Sequence, residues 1–325
     1  MNNKKVILEL LEKNREKTIS GEYIANMLCI SRNIVWRAIK DLRKEGYSIE
    51  ARTNKGYCLT GTNDIISAEG IKAYLSAPEL AEHIKVFSEI DSTNREAKAQ
   101  AVEKAPHGTV IIADHQTQGK GRFSRSFYSP PGTGLYISFI LYSNRLGFTN
   151  PTSITAYAGL CVCEAIEKIC GFEPKIKWVN DVYLNERKIC GILTEAVTDF
   201  ESGNIQEIIL GIGINVSTKT EDFPEDVKTR AGSLYPDGKP LITRNHLAAE
   251  IIDRILNPNM PTEPELFTRY KSRLFMLGKD ITVIQGDSTY AATAIDIDES
   301  GALIVKNQTG EIKTLTSGEI SITPM

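Results

Sequence analysis

The sequence predicts an α+β protein with several domains. Three observations support this fold class. The chain has 325 residues, which is more than one ordinary core accommodates. Strand and helix patterns alternate from Val86 onward, and the tail after residue 280 shows only short strand patterns separated by turns. With 41% hydrophobic and 24% charged residues, the composition excludes a disordered or fibrous chain.

The sequence also bears on the cellular compartment. No stretch approaches the roughly 18 apolar residues of a membrane span. Glu9 and Glu12 interrupt the apolar run at the N-terminus, which indicates an amphipathic helix and not a signal peptide. The six cysteines lack CxxC spacing, which favours buried thiols over a disulfide framework or a zinc site. We therefore expect a soluble, cytoplasmic protein.

Charge is distributed unevenly along the chain. The formal net charge is −3, yet residues 1–60 contain twelve Lys and Arg against seven Asp and Glu. A basic segment attached to an acidic remainder suggests nucleic-acid binding by that segment alone.

Residues 1–62 predict a winged helix-turn-helix. Apolar positions 6, 7, 10 and 11 form one face of a first helix. Ser20 and Ser31 are expected to cap the second and third helices, and Gly46 follows the third. The alternating segments YSIEAR and GYCL, joined by turn residues 53–56, predict the wing hairpin.

The third helix of this domain is expected to enter the major groove, with the wing touching phosphate. The residues predicted to contact DNA are Arg32, Asn33, Trp36, Arg37, Lys40 and Lys55. A protein–protein role for the same fold is the alternative. Trp36 fits either a DNA contact or an anchor at a domain interface.

Residues 63–277 predict a central α/β domain with a mixed sheet. Its strand candidates are VFSEI, TVIIA, LYISFILY, KIKW, KICGILTEAV and EIILGIGINV. Helices are expected after the cap Ser67, from Asn94 to about Lys104, from Asn150-Pro151 to Gly171, and over 244–256 and 264–276. Residues 278–325, with ITVIQ, YAATAIDI, ALIVKN and EIKTL, predict a small SH3-like β-barrel.

Three stretches of the central domain carry residues suited to chemistry. The loop 116–127 combines two glycines with three cations and no acid, which suits an anionic ligand as well as it suits a mobile surface loop. It lacks the P-loop pattern. In the stretch 177–193, a lysine that begins an apolar strand can end in a pocket, where it would act as a fixed cation on developing negative charge. The alternative for 177–193 is a hairpin with an exposed turn at 185–187 and Lys188 as an ordinary edge residue. The glycines of 211–215 indicate close backbone approach or close packing.

Taken together, five motifs resemble the biotin–protein ligase family, in particular its bifunctional bacterial members that also repress biotin genes. The motifs are DSTN (91–94), TQGKGRFSRSFYSPPGTGLYIS (117–138), KWVNDVYLNERKICGILTE (177–195), GIGINV (211–216) and SGEISI (317–322). The resemblance extends from the winged helix to the C-terminal β domain.

The resemblance implies two half-reactions with biotin and ATP as substrates and Mg²⁺ present. Biotin and ATP give biotinyl-adenylate, whose biotin then passes to a lysine of a biotin carboxyl carrier protein, the acetyl-CoA carboxylase subunit. It also implies operator DNA as a partner and a homodimer when ligand is bound. The family pairs catalytic sheets edge to edge, and the candidate edge here is Glu207–Asn215. A biotin sensor without ligase activity and a ligase for lipoate are the alternatives.

The resemblance also assigns roles to residues, without naming metal ligands. Lys188 and Arg122 are the expected catalytic residues. Biotin contacts are expected from Ser92, Thr93, Asn94, Gln116, Lys120, Gly121, Arg122, Lys188 and Gly191. Contacts to ATP or the adenylate are expected from Lys120, Arg122, Arg125, Phe127, Lys177, Asn180, Asp181 and Asn215.

Four positions depart from the family pattern. Lys120 replaces an arginine and loses its bidentate fork. Ser124 stands in place of glycine and Phe127 in place of tryptophan, which bear on loop closure and on adenine stacking. Val179 replaces a proline, a change we expect to be mostly structural.

Overall fold

A computed structural model describes residues 2–53, 55–61, 63–148, 150–198, 205–286 and 288–322. The chain divides into two compact units. One comprises Met1–Val86 with Leu241–Asp253, and the other Phe87–Pro240 with Arg254–Met325. Within the described ranges, no helix combines the length and the apolar character that a membrane crossing requires. The predicted boundaries at 62 and 277 stay predictions.

The described residues form nine α-helices and fourteen strands, besides four short 3-10 helices. The helices are α1 (Asn3–Lys13), α2 (Gly21–Met27), α3 (Arg32–Lys44), α4 (Ala68–Lys72), α5 (Thr93–Val102), α6 (Pro151–Cys170), α7 (Glu225–Lys228), α8 (Arg244–Ile255) and α9 (Glu263–Lys271). The strands are β1 (Ile49–Arg52), β2 (Gly56–Leu59), β3 (Ile84–Ile90), β4 (Thr109–Gln116), β5 (Gly134–Tyr142), β6 (Lys175–Lys177), β7 (Asp181–Leu184), β8 (Arg187–Thr198), β9 (Ile205–Asn215), β10 (Asp280–Gln285), β11 (Ser288–Ile297), β12 (Leu303–Asn307), β13 (Ile312–Leu315) and β14 (Glu319–Ile322).

The helix-turn-helix of the first unit has the predicted caps. Ser20 Oγ accepts a hydrogen bond from Tyr23 N at 3.0 Å, and Ser31 Oγ accepts one from Ile34 N at 3.3 Å. The apolar stripe of α3 is buried, except that Ile34 is 38% exposed. The residues packed in this core are Ile7, Leu8, Leu11, Ile24, Val35, Ala38, Ile39, Leu42 and Leu59. The predicted helix-turn-helix is confirmed.

The wing is a hairpin in which β1 pairs antiparallel with β2 from Ile49↔Leu59 to Arg52↔Gly56. Ile19 extends it, since Ile19 N and Tyr57 N each donate to the other residue's carbonyl at 2.9 and 2.8 Å. Gly56 has φ +125°, and a Cβ there would lie 2.0 Å from the Ile19 carbonyl oxygen. This position therefore requires glycine. The predicted turn includes Asn54, which lies outside the described residues.

The second unit contains a seven-stranded sheet of order β3-β4-β5-β9-β8-β7-β6. The five pairings from β4 to β6 are antiparallel. The path β3–α5–β4 has the form of a βαβ crossover, which makes the sheet mixed as predicted. Helix α5 buries Ala97 and Ala101 against Ile111, Ile140 and Ile209 of the sheet.

Helix α6 begins and ends as predicted. Asn150 Oδ1 accepts a hydrogen bond from Thr152 N at 2.9 Å, and Gly171 adopts φ +72° after the last turn. Helix α9 ends at Lys271, earlier than the predicted 276.

The prediction that Glu207–Asn215 is a free sheet edge is wrong. This segment lies in β9, which pairs with β5 from Gly134↔Asn215 to Tyr142↔Glu207 and with β8 on its other side. Its backbone groups are therefore used on both sides. Among the described strands of this sheet, the edges are β3 and β6.

The hairpin around 181–193 is present, and its two central turn residues, Asn185 and Glu186, have φ +49° and +63°. Lys188 is not an edge residue, because β8 has β7 and β9 as neighbours. Strand β7 is absent from the predicted strands.

The C-terminal segment forms a five-stranded antiparallel sheet of order β13-β12-β11-β10-β14. Among the described residues, β13 and β14 are the two edges of this sheet and do not pair with each other. The sheet therefore does not close into a barrel. The predicted all-β character of this segment is confirmed. Strand β14 contains part of the SGEISI motif and was not predicted as a strand.

Candidate active site

A cavity of about 810 Å³ lies in the second unit. All fifteen residues that the sequence predicts to contact biotin or ATP line it, from Ser92 to Asn215. These residues come from α5, the end of β4, the loop after β4, β6 to β9 and the segment between β6 and β7. The fold therefore brings together motifs that are more than a hundred positions apart, while the role of each residue stays a prediction.

One wall of the cavity is a hydrogen-bonded network that begins at Gln116. Its Oε1 accepts bonds from Thr93 N and Oγ1 at 2.9 and 3.0 Å, and its Nε2 donates to Ser129 Oγ at 2.9 Å. Ser138 Oγ lies 2.8 Å from Thr93 Oγ1 and 2.6 Å from Asn94 Oδ1. The side chains of this wall are thus fixed before any ligand binds.

Behind this wall lie two charged residues that the sequence analysis did not single out. Asn94 Nδ2 donates to Glu195 Oε2 at 2.7 Å, and Lys98 Nζ lies 2.5 Å from Glu195 Oε1. Glu195 is the last residue of the motif KWVNDVYLNERKICGILTE (177–195). Its place in that motif is the one sequence signal that could have identified it.

The glycines of β9 provide space for two of the predicted ligand residues. A Cβ on Gly211 would lie 2.2 Å from Asn94 Oδ1, and a Cβ on Gly213 would lie 2.6 Å from Phe127 Cε1. The side chains of Asn94 and Phe127 thus pack closely against these two glycines, which agrees with the packing interpretation of the sequence pattern.

The loop after β4 is folded back on itself. Gly121 N donates to the Arg125 carbonyl at 2.7 Å, and Phe127 N donates to the Gly119 carbonyl at 2.9 Å. At its tip Phe123 and Ser124 have φ +54° and +57°. Ser124 therefore occupies a left-handed position that favours glycine, which is the residue that the family pattern has there.

Arg125 joins this loop to the C-terminal sheet through a bidentate ion pair with Glu319. The two N–O distances are 2.8 and 2.6 Å. The hydrogen bond from Arg125 holds the pKa of the Glu319 carboxyl below its usual value, and the same bond raises the pKa of Arg125. Glu319 belongs to the SGEISI motif, but its contact with the loop could not be read from the sequence.

Cations surround the deeper part of the cavity. Lys188 Nζ lies 2.6 Å from Asp181 Oδ1, and Arg122 donates to Asn180 Oδ1 at 3.2 Å. Burial lowers the pKa of both Lys177 and Arg122. Desolvated cations of this kind interact strongly with an anionic ligand.

Asn215 has a structural contact in addition to lining the cavity. Its Nδ2 donates to the Gly232 carbonyl at 2.9 Å. Gly232 N in turn donates to the Lys188 carbonyl at 2.9 Å, and Lys188 N donates to the Arg230 carbonyl at 2.8 Å. The segment 230–232 therefore borders the site, although no sequence motif pointed to it.

The predicted DNA-contacting residues lie in the first unit, and all six are exposed. The Trp36 side chain is 53% exposed, and Lys40 Nζ lies 5.2 Å from the centre of its ring. Arg37 and Lys40 share the outer face of α3 with Asn33.

Within the described ranges, no group of three or more His, Cys, Asp or Glu residues is arranged to hold a metal ion. Four acidic residues, Glu173, Asp181, Glu186 and Glu319, line the cavity. One or two carboxylates suffice for Mg²⁺ that is held mainly by substrate phosphates.

Comparison with known proteins gives three matching domain families. The Biotin/lipoate A/B protein ligase family matches residues 86–215, an HTH domain matches 3–58, and the Biotin protein ligase C terminal domain matches 276–322. Among solved structures, the biotin protein ligase from Aquifex aeolicus in complex with biotin and ATP superposes with a TM-score of 0.63 at 31% identity. The match covers 74% of this chain and 99% of the Aquifex aeolicus chain.

Two relatives match over nearly the full length. The bifunctional ligase/repressor BirA of Bacillus spizizenii is 33% identical over 98% of this chain and 98% of that protein. The protein of the same name from Escherichia coli is 29% identical over 93% of this chain and 92% of that protein. Because these similarities agree with the ligase motifs gathered around one cavity, the chain belongs to the biotin protein ligase family.

Proposed function

We propose that this chain is an ATP-dependent biotin–protein ligase that also acts as a biotin-responsive transcriptional repressor. The observation that carries the ligase assignment is the gathering of all fifteen predicted ligand residues around one cavity. The similarity to bifunctional ligase/repressors along nearly the whole chain supports the second activity.

In the first half-reaction, a carboxylate oxygen of biotin forms a bond to the α-phosphorus of ATP, and the bond to pyrophosphate breaks. Carboxylate and triphosphate repel each other, so the chain must supply fixed positive charge where they meet. Lys188 and Arg122 supply it in this proposal, and Lys120 adds a further cation from the loop. Asn180 orients Arg122 through their 3.2 Å hydrogen bond.

In the second half-reaction, the amine of a carrier lysine attacks the carbonyl carbon of the adenylate. An amide forms, AMP leaves and a proton is released. The chain needs no covalent nucleophile of its own for this step. The loop 116–128 protects the mixed anhydride from water in this proposal, with Phe127 and Asn215 next to the adenine.

Magnesium enters this scheme with ATP. Asp181, which lines the cavity beside Lys188, is the residue that would hold the ion, and the ion would then supply positive charge to the phosphates.

For the repressor activity, operator DNA contacts α3 through Asn33, Arg37 and Lys40, with Lys55 on phosphate. Two half-sites require two copies of this domain, so we propose a homodimer that forms when ligand is bound. The exposed Trp36 supports a DNA contact over an interface anchor.

We also propose a cytoplasmic location, where unpaired thiols such as Cys161 and Cys163 are stable. For the C-terminal sheet we propose an SH3-like class.

The decisive experiment is to incubate the purified protein with ATP, a biotin carboxyl carrier domain and either biotin or lipoate, and to measure the carrier mass. We expect the mass of the carrier to increase by that of one biotinyl group, attached to one lysine. A lipoyl addition would support the lipoate alternative, and an unmodified carrier together with ligand-dependent DNA binding would support a sensor without ligase activity.

A further inference from the structure

The carboxamide of Asn94 is held from behind by a charged pair that does not line the described cavity. Asn94 is 6% exposed and faces the cavity from the first turn of α5. Glu195, on β8, accepts a hydrogen bond from Asn94 Nδ2 at 2.7 Å. Lys98 lies one helical turn after Asn94 and contacts the other carboxylate oxygen of Glu195 at 2.5 Å.

These contacts determine which end of the Asn94 carboxamide faces which neighbour. An asparagine side chain presents a donor at one end and an acceptor at the other, and a rotation of 180° exchanges them. An ionised carboxylate only accepts, so Glu195 requires the NH₂ group on its side. Ser138 Oγ then lies 2.6 Å from Oδ1. Gly211 leaves the space for this arrangement, since a Cβ there would lie 2.2 Å from Oδ1.

The orientation matters for a ligand with N–H donors. In the observed rotamer, one lone pair of Oδ1 faces Ser138 and the second is available to another donor. The ureido ring of biotin carries two N–H groups. In the flipped rotamer the NH₂ group would oppose such donors, and binding would lose a hydrogen bond and gain a repulsion.

We infer that Glu195 is a positioning residue for biotin binding. It holds the carboxamide of Asn94 in the orientation in which Oδ1 can accept a hydrogen bond from the ligand. This inference rests on the proposed function. Glu195 acts through Asn94 and touches no reacting atom, so its effect falls on biotin affinity and not on the chemical step. Lys98 contributes less, because its side chain is 43% exposed and a pair of this exposure is screened by solvent.

The test measures KM for biotin, KM for ATP and kcat in the carrier assay for E195A, E195Q and K98M. For E195A, we expect KM for biotin to rise on the order of 10-fold, as for a buried donor left unpaired, with kcat and KM for ATP within about 2-fold of wild type. E195Q keeps an acceptor for Asn94 and should restore most of the affinity. K98M is the matched control, with an expected change of about 2-fold or less.

An unchanged KM for biotin in a folded E195A protein would overturn the inference, as would a fall in kcat with KM unchanged. A wild-type protein that does not use biotin would instead refute the proposed function. N94D and N94D/E195Q provide a second test that does not depend on the folding of E195A. N94D places two carboxylates, at positions 94 and 195, next to each other. Adding E195Q restores a hydrogen bond in which residue 195 donates and residue 94 accepts. We expect the double variant to bind biotin about 5-fold or more tightly than N94D, and equal affinity would overturn the inference.

Discussion

Replacing Lys188 by alanine tests the assignment of the catalytic cation. Lys188 Nζ lies 2.6 Å from Asp181 Oδ1, and its ammonium group stands over Gly191, whose Cβ would lie 3.5 Å from it. K188A therefore removes one positive charge from the cavity. It also leaves the Asp181 carboxylate without its partner, next to the place proposed for the phosphates.

The expected cost follows from electrostatics. A cation about 5 Å from a unit of developing negative charge contributes about 3 kcal/mol at an effective dielectric constant of about 20. Loss of one fixed donor in an enzyme site has a similar effect, and about 3 kcal/mol corresponds to roughly a 100-fold lower rate. The uncompensated Asp181 carboxylate adds to this cost.

The assay is pyrophosphate release from biotin and ATP without carrier, at saturating concentrations of both substrates. Circular dichroism checks that each variant is folded, and K306A, on β12 and outside the cavity, is the matched control. Pyrophosphate release by K188A at close to the wild-type rate would refute the catalytic assignment.

Three further predictions follow from the structure. In G211A the new Cβ collides with Asn94 Oδ1, and we expect biotin affinity measured by calorimetry to fall on the order of 10-fold or more, while unchanged affinity would contradict the contact. The pKa of Glu319 is lowered by Arg125, so the ion pair stabilises the loop above the usual pKa of a glutamate and this stabilisation is lost as pH falls through the lowered value. E319Q should therefore show faster amide exchange in residues 120–126 at neutral pH, corrected for intrinsic rates, and equal exchange would count against the ion pair as a restraint. R37A should weaken operator binding about 10-fold or more while carrier biotinylation stays within about 2-fold of wild type, and a loss of both activities would contradict an independent DNA-binding face.

Features of the fold that depend on local interactions could be predicted from the sequence. The caps Ser20, Ser31 and Asn150 hydrogen-bond to backbone groups two or three residues away, so the signal and its partner lie in the same short stretch. The position of β9 depends on which strands pair across the sheet, and the apolar run EIILGIGINV is equally compatible with an edge and a centre. For this reason the strand itself was predicted correctly, while its predicted place at an edge of the sheet is wrong.

In the candidate site, too, local features could be predicted from the sequence and long-range contacts could not. Motif residues such as Gln116 and Lys188 were identified because their motifs resemble those of a known family. Other contacts in the site were not predicted: Asn94 is held by Ser138 and Glu195, and Arg125 by Glu319, across 44, 101 and 194 positions. Only the folded chain shows these contacts, because no local pattern encodes a pairing over such distances.

The central position of β9 explains why the glycines of two motifs belong together. Residues two apart in a strand face the same side, so Gly211 and Gly213 share one face of β9, and Gly191 of β8 lies directly opposite Gly213. The three glycines form a flat floor without side chains. The ring of Phe127 already rests on part of it, since Cβ atoms on Gly213 and Gly191 would lie 2.6 and 3.4 Å from ring carbons. A ligand that reaches this floor has to stack on Phe127 or displace it, and displacement would require the loop 116–128 to rearrange.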